Sequence, residues 1–211
     1  MQLKQPLLFF VCIMLTTYYH VDATVDEVTC YGVYWGTFDP PTRAHQQIMI
    51  RSFSTGIQQL FVVINNHGHK QYTASLQDRI AMVKLLISPE LPITLLTQDA
   101  TQTWGIEQLK NCFGNSPKVR WHLFSGQENL AHWNPNNEDS FDKVFIIPRE
   151  GKVQHLIPAS ATQLRIAADC YTISSSIVRS RIKNLTPCWQ QFVPATVAQY
   201  IKSHALYHFT L

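Results

Sequence analysis

The sequence predicts a single α/β domain built on a doubly wound parallel sheet. From residue 28 onward, short apolar runs typical of buried strands alternate with segments that have helical spacing. The run Leu-Phe-Val-Val-Ile over residues 60–64 is apolar at every position, which indicates a strand covered on both faces and hence parallel. With 211 residues, 45% hydrophobic and 15% charged, the chain is long enough for one full core.

The N-terminal residues 1–23 have the features of a secretory signal peptide. Lys4 precedes an apolar run over residues 7–19, and Val-Asp-Ala at 21–23 offers small residues at the cleavage spacing. The run is too short to span a bilayer, so we expect no stable membrane insertion after processing. A buried N-terminal helix is the alternative. We therefore expect residues 24–211 to form the domain of a secreted or periplasmic protein, with a cytoplasmic protein as the alternative.

The net charge and the cysteine content limit which classes of partner the sequence predicts. The net charge of +3 is small and scattered, which argues against nucleic acid and fits an anionic small molecule. After cleavage at Ala23, four cysteines could form two disulfides in any of three pairings, or could serve as small core residues. Their spacing matches no zinc site, and we predict no metal held by protein ligands. The sequence leaves open whether the protein forms a homo-oligomer. The four cysteines are Cys30, Cys112, Cys170 and Cys188.

The first predicted strand, residues 28–35, leads into a loop rich in proline and then a helix over residues 46–53. Gly36 can adopt backbone angles closed to other residues, and the prolines at 40–41 delay the helix until near Thr42. A helix start of this kind presents free N–H groups and the positive end of the helix dipole, which suit a phosphate. Thr42 and His45 lie three residues apart on that first turn, so both can face one ligand.

Two further strands are predicted over residues 60–64 and 93–97. The helix between them begins with a capping box at Ser75 and ends by Pro89, and another helix is predicted over residues 103–113.

A polar loop over residues 65–70 follows the second strand, at the edge where open α/β sheets bind ligands. His67 and His69 could chelate a metal, but no third ligand is evident. We therefore expect this loop to contact phosphate or substrate, with an inert loop as the alternative.

The fourth predicted strand, residues 119–124, is followed by Gly126 and Glu128. A carboxylate in this position can accept hydrogen bonds from ribose hydroxyls or can hold a metal. A fifth strand is predicted over residues 143–147.

The second motif is Ile-Ser-Ser-Ser-Ile-Val-Arg over residues 173–179. Ser174 or Ser175 is a good N-cap, Ile177, Val178 and Ile182 supply a packed side, and Arg179 projects from the first turns. Hydroxyls, free N–H groups and a guanidinium thus converge, which suits a polyphosphate. The alternative is a helix capped by serine with an incidental arginine.

Gly-Thr-Phe-Asp-Pro and Thr-Arg-Ala-His over residues 36–45, paired with residues 173–179, resemble two signatures of the nucleotidyltransferase superfamily, (H/T)xGH and ISSTxxR. This superfamily includes nicotinate mononucleotide and pantetheine-phosphate adenylyltransferases. The resemblance covers residues 31–207 and favours the nicotinate branch, and it implies a Rossmann-like nucleotidyltransferase fold. Two residues depart from the pattern, since Ala44 and Trp35 stand where that branch has glycines.

The resemblance implies a site. It assigns catalysis to His45, Thr42 and Arg179. It implies acceptor contacts for His69, Lys70, Trp104, Trp133 and Arg149, where core packing is the alternative for the tryptophans and a surface role for the arginine. It implies ATP contacts for Gly36, Thr37, Phe38, Thr42, His45, Gly126, Glu128, Ser174, Ser175, Ser176 and Arg179.

The implied reaction is transfer of the AMP part of ATP to nicotinate or nicotinamide mononucleotide, with release of pyrophosphate. Mg²⁺ is expected with ATP. One alternative is an exported member that binds nucleotides without turnover. Another is an adenylyltransferase or cytidylyltransferase for a different phosphate acceptor, such as phosphopantetheine.

Overall fold

The computed structural model describes residues 28–66, 72–98, 104–132, 140–148, 150 and 160–209. Within these ranges every helix falls short of the length and apolar character that a membrane crossing needs. Several predictions lie outside the described residues: the signal peptide, most of the loop after the second strand, and the predicted site residues His69, Lys70, Trp133 and Arg149.

The six strands of the described chain form one parallel sheet in the order β3-β2-β1-β4-β5-β6. The predicted doubly wound α/β fold is therefore confirmed. Five strands lie within a residue or two of their predicted bounds, and β6 was not predicted. The strands are β1 Thr29–Gly36, β2 Gln59–Ile64, β3 Ile93–Thr97, β4 Val119–Gly126, β5 Lys143–Ile147 and β6 Ala161–Gln163.

The helices follow the strands along the chain. The predicted helix over residues 103–113 starts late: its N-cap is Gly105. The second helix ends at Lys84, before the predicted stop at Pro89. The helices are α1 Arg43–Ser52, α2 Leu76–Lys84, α3 Ile106–Phe113, α4 Ser175–Lys183 and α5 Ala195–Ser203.

Apolar side chains fill both faces of the sheet. On one face α1, α2, α4 and α5 contribute to the main core, for example with Ile48, Met82 and Val178. On the other face Leu109 of α3 packs among buried side chains of β1, β2 and β4. One prediction here is wrong, because Ile177 of α4 is 39% exposed instead of packed.

The four cysteines in the described part of the chain form no disulfide with one another. Cys170 is buried, Cys30 is partly buried, and Cys112 and Cys188 are exposed. Of the two roles that the sequence left open, a small core residue therefore describes Cys170.

The strand order reverses between β1 and β4, which are paired from Thr29 opposite Val119 to Tyr34 opposite Phe124. A crevice at the carboxyl ends of two such strands is where open α/β sheets bind ligands. The loops that leave β1 and β4 at this edge carry the first motif and the Gly126 segment.

Candidate active site

In the loop after β1, the ring of Phe38 packs against the backbone of Gly36. Phe38 is fully buried and has φ 51°. Its ring lies against Gly36, where an added Cβ would come within 2.7 Å of the ring. A glycine is therefore required at position 36, and the Asp39–Pro40 peptide that follows is cis.

Asp39 fixes this loop from below. Its side chain is 3% exposed, and its two carboxylate oxygens accept hydrogen bonds from the backbone N–H groups of Thr73 at 2.8 Å and Ala74 at 3.1 Å. A charge-assisted bond of this type is among the stronger hydrogen bonds in a folded chain. The first motif is thereby tied to the segment that precedes α2.

Thr42 and His45 contact each other directly in a capping box at the start of α1. The Thr42 hydroxyl accepts from the His45 N–H at 3.4 Å and lies 2.8 Å from His45 Nδ1, and the Thr42 N–H donates to Nδ1 at 2.9 Å. Since Nδ1 accepts from a backbone N–H, the neutral ring carries its proton on Nε2. Thr42 is completely buried, so its side chain orients His45 and does not face solvent.

The start of α4 meets the same loop. Ser175 Oγ donates to the Pro40 carbonyl at 2.8 Å, and the Arg179 guanidinium donates to the Asp39 carbonyl. Ser174 is the N-cap, and its Oγ accepts from the Ile177 N–H at 3.3 Å and lies 3.0 Å from Ser176 Oγ. The two motifs of the sequence are thus joined at one loop.

Gly126 ends β4, and Glu128 lies in the 3₁₀ helix that follows, Gln127–His132. A Cβ at position 126 would collide with the Glu128 carboxylate, which is folded back over the strand end. Glu128 is exposed, so an acidic group stands at the carboxyl edge beside the first motif.

The face of the sheet opposite α1 carries an aromatic group at this edge. Trp35 Nε1 donates to the Trp104 carbonyl at 3.0 Å, and the Trp35 ring meets Phe141 edge-on with centroids 6.0 Å apart. Trp104 is only partly buried and packs against the second core cluster. Core packing therefore accounts for one side of Trp104 and leaves another side accessible.

Ala44, which replaces a glycine of the family pattern, is fully buried in the main core. A buried methyl group contributes to packing. The alanine at position 44 therefore contributes to the packing of α1 against the main core.

Sequence reasoning missed Arg79. This arginine is fully buried, and its guanidinium donates to the carbonyls of Thr37 at 3.0 Å and Asn65 at 2.8 Å and to Asn66 Oδ1. It also lies 4.1 Å over the Tyr72 ring. Burial lowers the pKa of Arg79, and the Asp39 carboxylate opposes that shift. The available signal was a lone arginine three residues before the buried Met82.

Tyr207, near the C-terminus, was also missed as part of the site. Its side chain is buried and its hydroxyl has no partner in hydrogen-bond geometry among the described residues. Burial and the neighbouring Asp39 carboxylate raise the pKa of Tyr207, while Arg179 and Arg79 oppose that rise. Two cations, one carboxylate and one phenol thus lie together beneath the first motif.

A groove of about 690 Å³ lies elsewhere, between α1 and α5, and is lined by residues such as Arg43, Gln46 and Lys202. None of the predicted site residues lines it. We place the candidate site at the joined motifs, because that is where the polar groups converge.

No group of three or more histidine, cysteine, aspartate or glutamate residues that could hold a metal occurs in the described part of the chain. Both carboxylate oxygens of Asp39 are already engaged by backbone N–H groups.

Comparison with known proteins identifies the family of this chain. The family model described as cytidylyltransferase-like matches residues 33–181, more than half of the chain. A protein of Gloeobacter violaceus named "Probable nicotinate-nucleotide adenylyltransferase" is 26% identical over 196 residues, which cover 83% of this chain and 95% of that protein. A protein of the same name from Listeria monocytogenes is 24% identical over 186 residues, covering 83% and 96%.

The fold is similar to that of a solved enzyme. Plasmodium falciparum nicotinic acid mononucleotide adenylyltransferase in complex with APC superposes with a TM-score of 0.66 at 18% identity, covering 86% of this chain and 98% of that one. Its complex with NaAD gives 0.67. Since the family model matches more than half of the chain, from the second half of β1 through both motifs, the chain belongs to the cytidylyltransferase-like family and is an enzyme of the nucleotidyltransferase type.

Proposed function

We propose that this enzyme joins the AMP part of ATP to nicotinate or nicotinamide mononucleotide and releases pyrophosphate. One observation carries the proposal: Ser175 and Arg179 of α4 bind the carbonyls of Pro40 and Asp39, so the starts of α1 and α4 flank one loop. The names of the relatives and the ligands of the solved structures support a nucleotide substrate and this acceptor class.

The two helix starts would hold the ATP phosphates. The orphan N–H groups of a first turn and the positive end of the helix dipole favour an anion, and α1 and α4 supply two such ends. His45 adds its Nε2–H as a donor whose direction is fixed by Thr42. Arg179 adds a guanidinium that can bind phosphate oxygens in a planar fork.

The chemistry then needs alignment more than a protein nucleophile. A phosphate oxygen of the acceptor attacks the α-phosphorus of ATP in line, a new P–O bond forms, and the P–O bond to the β-phosphate breaks. The attacking phosphate is already ionised at neutral pH, so no general base is required. The electron pair of the broken P–O bond departs with the pyrophosphate. Arg179 and the serines at 174–176 would stabilise the negative charge of this leaving group.

Mg²⁺ would enter as part of the substrate. Mg²⁺ usually keeps several waters and binds through substrate phosphates plus one or two carboxylates, and the exposed Glu128 suits that role. When bound, the ion would reduce the negative charge on the phosphates.

Pyrophosphate release tests the proposal. Wild-type protein is incubated with ATP or CTP and, in turn, nicotinate mononucleotide, nicotinamide mononucleotide and phosphopantetheine. We expect turnover with ATP and a pyridine mononucleotide. Turnover only with phosphopantetheine or only with CTP would keep the reaction class and refute the acceptor or donor. No turnover with any pair would favour a member that binds nucleotides without catalysis.

We also propose that residues 1–23 direct export. The N-terminal residue of the protein isolated from its native cells tests this. A chain that starts at Thr24 supports export, and a chain that retains Met1 supports the cytoplasmic alternative.

A further inference from the structure

Arg79 lies under two loops that leave neighbouring strands. Its Nη1 donates both to the carbonyl of Thr37, just after β1, and to the carbonyl of Asn65, just after β2. Its Nη2 donates to the Asn66 side chain. The Asn65 N–H in turn donates to the Gly36 carbonyl at 2.8 Å, so the two strand ends are connected at two points.

A fully buried arginine is costly and needs a reason. Removing a guanidinium from water is unfavourable unless its donors are satisfied, and the only carboxylate that opposes the resulting pKa shift, Asp39, is itself bonded to Thr73 and Ala74. The remaining partners of Arg79 among the described residues are backbone carbonyls and one amide, and within the same residues its Nε has none. In the described part of the chain Arg79 is therefore not held in place by an ion pair of its own.

The shape of the guanidinium explains why an arginine suits this position. Its donors lie in one rigid plane, so they fix the distance between the acceptors that they bind, whereas a lysine ammonium is a single flexible point. The plane lies over the Tyr72 ring at 4.1 Å, which limits its rotation. Arg79 thus sets the spacing between Thr37 and Asn65.

We propose that Arg79 is a positioning residue that aligns the two substrates of the transfer. It fixes the loop that leads to His45 relative to the start of the loop after β2. In the proposed function the first loop binds ATP and the second binds the mononucleotide acceptor, so Arg79 would set the position of one substrate relative to the other. This inference rests on the proposed function. An in-line displacement is sensitive to such spacing, and a misplacement of 1 Å can lower the rate by about 100-fold.

The test compares four variants: Arg79→Lys, Asn66→Ala, the double variant, and Arg120→Lys as the matched control. Arg120 is an arginine at the opposite, amino end of β4, paired with the exposed Asp142. Steady-state kinetics with the acceptor that the wild type uses best are normalised to the folded fraction measured by circular dichroism. Hydrogen–deuterium exchange of the backbone amides of residues 36–39 provides a readout that needs no turnover.

We expect Arg79→Lys to lower kcat by about 100-fold with a change in the KM for ATP of less than about 3-fold, because alignment and not ATP binding is lost. Asn66→Ala should lower kcat by a smaller factor. The double variant should have a kcat only slightly below that of Arg79→Lys, since both single substitutions remove the same hydrogen bond between residues 79 and 66. Amide exchange in residues 36–39 should accelerate in Arg79→Lys and stay at the wild-type rate in Arg120→Lys.

Two results would overturn the inference. One is a normalised kcat of Arg79→Lys equal to that of the wild type, which would leave Arg79 a role in folding alone. The other is unchanged amide exchange in residues 36–39 of Arg79→Lys, which would refute the inference even if the wild type turns over no acceptor and the proposed function fails. Should Arg79→Lys fail to fold, Asn66→Ala must still lower kcat, and wild-type kinetics in that variant would refute the inference.

Discussion

The Arg179 guanidinium donates a hydrogen bond to the backbone carbonyl of Asp39, 140 residues earlier in the chain. Ser175 makes a second bond to the adjacent Pro40 carbonyl. The start of α4 is therefore attached by two hydrogen bonds to the loop that leads to His45. A substitution in either motif should consequently change the position of the other motif.

Replacing Arg179 by lysine tests the guanidinium fork. Arg179→Lys keeps the charge but loses the planar donors, so we expect kcat/KM to fall by about 100-fold, comparable to removal of one donor to a developing anion. Arg181→Lys is the matched control, because Arg181 lies on the same helix and stacks on Phe192 with 4.6 Å to the ring centre. Equal effects of the two substitutions on pyrophosphate release would contradict the role given to Arg179.

His45→Ala should affect activity far more than stability. It removes the Nε2–H donor and one half of the capping box. Loss of a cap costs about 1 kcal/mol of unfolding free energy, whereas loss of a donor to the transition state lowers kcat by about 100-fold or more. Urea unfolding and steady-state kinetics measure the two effects. Thr42→Ser keeps the hydroxyl and should retain most of the activity, and a variant His45→Ala with wild-type turnover would remove His45 from the mechanism.

Trp35→Phe separates the indole N–H from the ring. The variant loses the bond to the Trp104 carbonyl, so we expect about 1 kcal/mol less stability and a severalfold higher KM for the acceptor, with the KM for ATP unchanged. Trp121→Phe is the control, since Trp121 Nε1 makes a similar bond to the Gly114 carbonyl at 3.1 Å, far from the carboxyl edge. It should match the stability loss and leave the acceptor KM at the wild-type value. A raised acceptor KM in both variants would point to a general effect of loosened packing.

His122 should make the fold sensitive to acid. The side chain is 3% exposed and its Nδ1 has no partner among the described residues. Burial, assisted by Lys143, lowers the pKa of His122, and Asp142 opposes this. The unfolded chain then binds more protons than the folded chain at pH values below about 6.5, so stability falls as the pH falls through that range.

The pH dependence of unfolding in urea between pH 5 and 8 measures this effect. His122→Phe should show a smaller loss of stability on acidification than the wild type, and Lys143→Gln should show an intermediate loss. A slope in His122→Phe as steep as in the wild type would assign the acid sensitivity to other groups.

Tyr207→Phe removes a buried hydroxyl that lies near the Asp39 carboxylate but has no partner in hydrogen-bond geometry among the described residues. We expect the variant to be as stable as the wild type or more stable by up to about 1 kcal/mol, because an unsatisfied buried polar group is unfavourable. Tyr200→Phe is the contrast, since the Tyr200 hydroxyl donates to Asp78 Oδ1 at 3.0 Å and its loss should destabilise the fold. A clear loss of stability in Tyr207→Phe would mean that its hydroxyl bonds to the nearby Asp39 in solution.

The strands that sequence patterns predicted are marked by apolar runs, both where they are buried, as in β2, and where they are only partly buried, as in β3. The run in β2 has no polar residue between Leu60 and Ile64, and the helical segments around it have a different period. The three-residue β6 is too short to show any period, and two of its residues are exposed. The late start of α3 follows from Gly105, which takes the extended N-cap conformation with φ −82° and ψ 174°.

The site was only partly predictable. The motif letters were sufficient to bring His45, Thr42, Ser175 and Arg179 to one loop, because each belongs to a helix start at the same edge. Arg79 could not be predicted, since its acceptors are mostly backbone carbonyls, which every residue has. The inward direction of Thr42 likewise depends on packing that no motif records.

The central position of β1 has a consequence for biosynthesis. Tyr31 pairs with Gln59 on one side and with Trp121 on the other, so β1, the first of the described strands to be synthesised, lacks one of its two neighbours until β4 has been made. Until then one side of β1 carries unpaired N–H and C=O groups, which are prone to pair with another nascent chain. A polypeptide that ends before residue 179 lacks both Arg179 and Tyr207, so we expect such termination products to be aggregation-prone and inert.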